Sequence, residues 1–185
     1  MRKLTLKVLF MAATLFLTVC GYSQNSFRNT GWTGDVGIDA SFVPSVIKNE
    51  SGQQLQFSLN GGYNATQWLY VGAGASWISY FEGSDALPLY VNPRVYFSKY
   101  ENSLFVDTRF GIVVYAPEKT VDGDRIHATC PGPYIDMSIG YAFNRFRVGL
   151  GANFYSEDNE TQVESWEHGG GPTGAFYLRF SYSLK

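Results

Sequence analysis

The chain predicts an all-β fold, an eight-stranded antiparallel up-and-down transmembrane β-barrel. Three observations carry this. Period-two alternation recurs eight times along the sequence, and the connections between the alternating runs are short and long in turn. One face of every run is free of charge, while the other holds aspartate and arginine with no lysine or glutamate.

Before the first run stands "MRKLTLKVLFMAATLFLTVCGYSQ", a basic start (Arg2, Lys3, Lys7), an apolar stretch from Val8 to Val19 and a small-x-small site at Gly21-Tyr22-Ser23. This almost wholly apolar stretch of 12 residues falls short of the roughly 20 that a membrane helix needs. Residues 1–23 are therefore expected to be a secretory signal, 24–30 a short lead and 31–185 the barrel. Leu17-Thr18-Val19 before Cys20 offers a lipoprotein reading, against which the bulky Val19 argues. Without residues 1–23 the chain keeps 11 basic against 16 acidic residues, so no nucleic-acid partner is expected. Cys130 is then the one cysteine left, and no disulfide within the chain is possible.

The runs follow in order. Residues 31–43 set Trp32, Val36, Ile38, Ala40 and Phe42 against Asp35 and Asp39; 53–63 set Leu55, Phe57, Leu59 and Tyr63 against Gln56 and Asn60. Residues 68–81 alternate Leu69, Val71, Ala73, Ala75 and Trp77 with glycines, and 87–98 oppose Leu89, Val91, Val95 and Phe97 to Arg94. Pro93 interrupts this fourth run and predicts a bulge there, because it removes a ladder donor. Residues 103–116 place Leu104, Val106, Phe110, Ile112 and Val114 opposite Asp107 and Arg109; 133–143 place Ile135, Met137, Ile139, Tyr141 and Phe143 opposite Asp136. Residues 145–155 set Phe146, Val148, Leu150, Ala152 and Phe154 against Arg145 and Arg147, and 174–184 set Phe176, Leu178, Phe180, Tyr182 and Leu184 against Arg179. The short turns are 64–67, 99–102 and the neighbourhood of Asn144; the long loops are 44–52, 82–86, 117–132 and 156–173.

Which face is wet decides the class. The solvated face of a soluble barrel would be rich in lysine and glutamate. Here the ionic residues are Asp35, Asp39, Asp107 and Asp136 with Arg94, Arg109, Arg145, Arg147 and Arg179. Short carboxylates and planar guanidinium forks suit a confined space, and an eight-stranded barrel has an interior just wide enough for side chains to fill it. Glycines at 37, 62, 72, 74, 111, 140, 149 and 151 share this face and make room. The polar face is thus expected inside, as an ion-pair network that plugs the lumen, with a narrow ion path as the alternative. Trp32, Tyr63, Phe97, Phe143, Phe146 and Tyr182 near the short turns, and Phe42, Trp77, Phe81, Phe154 and Phe176 near the long loops, form two aromatic girdles.

On these features residues 31–185 resemble the small eight-stranded outer-membrane barrels of Gram-negative bacteria, the OmpA/OmpX-like class. The resemblance implies an outer-membrane location with both termini periplasmic and a surround of lipid and lipopolysaccharide. It also implies a last strand read by the barrel-assembly machinery; Phe180, Tyr182 and Leu184 match that signal, while Lys185 stands where a terminal aromatic is usual.

Chemistry-bearing residues lie in the loops. Asp122, Asp124, His127 and Cys130 match neither EF-hand nor zinc spacing. Glu164, Ser165 and His168 are types that acyl transfer uses, in an acidic glycine-rich loop without a rigid frame. No catalytic, cofactor or metal site is assigned. The expected function is that of a monomeric, non-enzymatic barrel serving envelope integrity or surface interaction, with possible partner contact at loops 117–132 and 156–173. The alternatives are a lipid A-modifying enzyme, since some small outer-membrane barrels are lipid A palmitoyltransferases or deacylases, and a small channel.

Overall fold

The computed structural model describes residues 27–41, 53–80, 85–121, 124–160 and 171–184. The strands are β1 (Gly31–Ser41), β2 (Gln54–Asn64), β3 (Leu69–Tyr80), β4 (Leu87–Tyr96), β5 (Ser103–Tyr115), β6 (Lys119–Val121), β7 (Asp124–Ala128), β8 (Gly132–Phe143), β9 (Phe146–Glu160) and β10 (Gly171–Leu184). Eight long strands pair antiparallel in the order β1-β2-β3-β4-β5-β8-β9-β10, and β10 returns to β1, which closes the sheet into a barrel. The closing register sets Gly34 opposite Leu184 and Asp39 opposite Arg179. Each barrel strand has between 10 and 15 residues, enough for a tilted strand to cross a bilayer, which takes about 9–11.

The expected inside-out polarity is present. Leu59 is 60 % and Leu150 64 % exposed, whereas Asp35, Asp39, Arg94, Asp107, Arg109, Asp136 and Arg179 are all at 2 % or below. The described apolar residues predicted to face outward form an exposed belt, the surface that a hydrocarbon environment covers, except Phe143, which the turn leaves buried at 9 % exposure. At the short-turn end that belt carries ring contacts: Trp32 meets Tyr63 edge-on at 5.6 Å, and Phe146 meets Tyr182 at 5.1 Å and Phe143 at 5.9 Å. Phe42 and Phe81, expected in the loop-end girdle, lie outside the described residues, as do the signal segment 1–23 with Cys20 and the loop residues 42–52.

Pro93 produces no bulge. Val91 stands opposite Phe110 and Arg94 opposite Asp107, so the β4–β5 register is unbroken across it; the shift falls at Leu87/Pro88 instead. Side chains fill the gap in the ladder. Asn92 Nδ2 donates to the Thr108 carbonyl at 2.9 Å, and Thr108 Oγ1 donates to the Pro93 carbonyl at 3.2 Å. The Thr108 carbonyl, which a Pro93 N–H would otherwise serve, is thereby satisfied inside the wall.

Inner glycines serve a purpose the alternation did not specify. A Cβ on Gly72 would collide with the Tyr70 ring, and one on Gly151 with the Tyr177 hydroxyl. The rings fold over neighbouring bare backbone and line the lumen, where Tyr70 and Tyr177 are buried. The loop expected over 117–132 also holds structure: β6 and β7 form a hairpin, and β7 pairs with the end of β9, from Arg125 opposite Glu160 to Ala128 opposite Glu157.

Candidate functional site

The interior is layered. Its middle is the ionic cluster, to which β1, β4, β5, β8, β9 and β10 each contribute. Arg179 holds Asp39 with two parallel bonds, Nε to Oδ1 at 2.8 Å and Nη2 to Oδ2 at 2.7 Å. It also reaches Asp136 Oδ2 at 2.7 Å, Asp107 Oδ2 at 3.1 Å and Ser138 Oγ at 3.0 Å. Arg94 donates to Asp35 at 2.9 Å and to Asp107 at 3.2 Å, and Arg147 Nη2 pairs with Asp35 Oδ1 at 2.6 Å. Asp107 joins the two halves, because it accepts from both Arg94 and Arg179; Asn92 Nδ2 donates to it as well. Multidentate guanidinium–carboxylate contacts are the strong form of ion pair, and they satisfy most of each other's polar atoms.

Arg109 is held differently. Its Nη1 lies 3.7 Å from Asp39 and 3.8 Å from Asp136, and its Nε lies 3.9 Å from Asp107. Neither nitrogen makes a hydrogen bond among the described residues. Charge and the Tyr90 ring, whose centroid is 5.0 Å from the guanidinium carbon, keep it in place.

Arg145, expected in the same network, is not part of it. Phe143 pairs with Phe146 across a two-residue turn, with Asn144 at a φ of 54°. Arg145 therefore belongs to the turn rather than to the strand; it is exposed and donates to Tyr182 Oη at 3.3 Å. The tight turn removes it from the alternation that carries Arg147 inward.

Gln56 lies inside as expected, while Tyr134, Tyr177, Ser76 and Asn153 join the cluster without having been singled out. Tyr177 donates to Asp136 Oδ1 at 2.7 Å and Tyr134 to Asp136 Oδ2 at 3.0 Å. Above them Gln56 donates to Ser76 and Tyr134, and Asn153 donates to Gln56, each at 3.0 Å. The signal was available for three of them, since Tyr134, Asn153 and Tyr177 alternate in step with Asp136, Arg147 and Arg179. Towards the long-loop end the interior turns apolar: Ile78, Ala86, Tyr90, Val113, Ala128, Tyr134, Tyr155 and Ala175 form one buried cluster.

At the short-turn end, residues just before β1 enter the barrel mouth. Arg28 lies with its guanidinium carbon 3.2 Å from the Tyr96 ring centroid and donates to the carbonyls of Gln67, Ser98 and Glu101 at 3.1, 3.3 and 3.1 Å. Burial pulls its pKa down to about 10, opposed by the neighbouring Tyr96 and Glu101. Between it and the Arg94 and Arg147 side chains is a cavity of about 190 Å³, also lined by Thr33, Ala142 and Ser183.

Of the loop candidates, Cys130 is exposed and free. Asp122, Glu164, Ser165 and His168 lie outside the described residues. In the backbone register of the β7–β9 extension, His127 stands opposite Asp158.

No protein-family model and no curated protein matches the sequence. Among solved structures the chain is similar to the outer membrane enzyme PagL, at 12 % identity, with 80 % of this chain and 98 % of that one covered and a TM-score of 0.51. It is also similar to a de novo designed transmembrane β-barrel, at 11 % identity over 86 % of this chain and 100 % of that one, with a TM-score of 0.40.

The likeness to PagL is one of fold, and it corrects the expectation of a non-enzymatic barrel. An outer membrane enzyme has this architecture, so the architecture is no ground for excluding chemistry. One premise of that expectation fails on the structure too. The segment 156–173, expected as a loop without a frame, is partly strand: β9 runs to Glu160, β10 begins at Gly171, and β7 pairs along the extension.

Proposed function

We propose that the chain is a monomeric outer-membrane barrel with both termini on the periplasmic side, closed through its middle, that acts by presenting its long-loop end to molecules at the cell surface. The observation that carries this reading is the ionic layer: the aspartates and arginines of mid-barrel are paired with one another and no more than 5 % exposed. Such a layer plugs the lumen, leaving a rigid scaffold with its variable parts at the ends. The β6–β7 hairpin and the extensions of β9 and β10 form the platform, in a surround of lipid and lipopolysaccharide. Phe180, Tyr182 and Leu184 of β10 serve as the signal for the barrel-assembly machinery.

Two measurements test the reading. Purified protein in planar bilayers is expected to give no steady single-channel steps, and reproducible steps would overturn the plug. Segments 117–132 and 156–173 grafted together onto an unrelated eight-stranded barrel are expected to transfer binding to whole cells or to lipopolysaccharide-containing vesicles. Binding that stays with the strands would overturn the platform.

A further inference from the structure

Of the four described residues before β1, Phe27 and Arg28 are tied to the neighbouring turns. Phe27 bridges to Tyr100 and stacks on its ring with centroids 5.2 Å apart; the Arg28 amide donates to the Lys99 carbonyl at 2.9 Å. The carbonyls that Arg28 collects come from two separate turns, Gln67 between β2 and β3 and Ser98 and Glu101 between β4 and β5. Such acceptors at a barrel rim have no ladder partner, and one planar fork serves three of them while its face rests on Tyr96.

Two further facts turn this anchoring into a device. Gly31, the first residue of β1, has a φ of +128°, a conformation that side-chain-bearing residues rarely adopt, so the chain folds back there across the mouth. Arg28 lies outside the β1 ladder, whose first paired residue is Gly31, so its withdrawal breaks no barrel strand pairing. Beside it lies the cavity of about 190 Å³, which opens in part along Asn29 and Thr30 and has the buried Arg94, Ala142 and Arg147 as its floor.

We propose that residues 27–30 are a stopper: turning at Gly31, they seat Arg28 in the turn-end mouth and keep the floor of the cavity, Arg94, Ala142 and Arg147, from the aqueous phase. This goes beyond the proposed function, which concerns the middle layer and the opposite end.

The test uses the full chain isolated from membranes, with Cys20 and Cys130 replaced by serine and Ala142→Cys as reporter, because Ala142 lines the cavity and is 2 % exposed. A charged, membrane-impermeant methanethiosulfonate reagent is the probe. Arg28→Ala is expected to raise the labelling rate at least tenfold, and Gly31→Val to raise it comparably without touching the guanidinium. Arg28→Lys, which keeps the charge but loses the fork, is expected to fall between. Should Arg28→Ala fail to fold, the other two variants decide; rates equal to the parent in both overturn the stopper. A second reporter, Ser138→Cys in the ionic layer, is expected to stay unreactive throughout. Its labelling with Arg28 in place would overturn the closed middle and leave the stopper standing.

Discussion

Arg179 on the last strand and Asp39 on the first face each other directly across the closing seam, joined by two parallel hydrogen bonds of 2.8 and 2.7 Å. The pair ties together strands that lie at opposite ends of the barrel sequence. Removing one member orphans a buried charge, which typically costs about 3–5 kcal/mol. Arg179→Ala is expected to lower stability by that order, read as a shifted urea midpoint of the folded barrel in detergent. A double-mutant cycle with Asp39→Ala should show strong coupling, with the second substitution costing much less than the first.

Asp107 serves both halves of the layer, through Arg94 and Arg179, whereas Asp35 serves only Arg94 and Arg147 at the turn side. Asp107→Asn is therefore expected to be the more damaging of the two amide substitutions, by about 1.5–3 kcal/mol, the scale of one charged hydrogen bond. The same unfolding measurement compares them.

The inner glycines set a steric test. Gly151→Ala places a methyl group against the Tyr177 hydroxyl, which is itself bonded to Asp136. Overpacking of this kind costs about 1–3 kcal/mol. Gly61→Ala, on the outer face with nothing within 4 Å of the new atom, is expected to be close to neutral. Folded yield, scored by the heat-sensitive gel mobility of barrels, separates the two.

The outer belt sets an energetic one. Leu150→Arg, near the middle of β9, is expected to cost about 2–4 kcal/mol in a bilayer, and Trp32→Arg, at the turn end of β1, about 0–1 kcal/mol from the charge itself. Reversible unfolding from lipid vesicles measures both, and equal costs would contradict a membrane-spanning placement.

Strands and polarity were legible because a sheet buried on one side and lipid-covered on the other repeats with a period of two, and Asp35, Asp39, Arg94, Asp107, Arg109, Asp136, Arg147 and Arg179 all keep step with it. Arg145 was misread because periodicity says nothing of where a two-residue turn interrupts it. Pro93 was misread because the backbone rule ignores rescue by side chains, here those of Asn92 and Thr108. The β6–β7 hairpin had its signal in Asp122-Gly123, a dipeptide favoured in tight hairpins, but strands of three and five residues are too short to show alternation. Arg28 had none. It precedes the first strand, and only the folded mouth gives it partners.

The arrangement of charges around the wall also bears on how the protein is made. Through β8 the strands' inward mid-barrel charges are Asp35, Asp39, Asp107 and Asp136 against Arg94 and Arg109; Arg147 and Arg179 arrive with the final hairpin. Every shorter emerging chain holds an excess of carboxylate that hydrocarbon will not accept, and neutrality comes only with the last two strands. A chain cut short before β9 is therefore expected to fail to reside in the membrane, as fractionation of such a truncation would show.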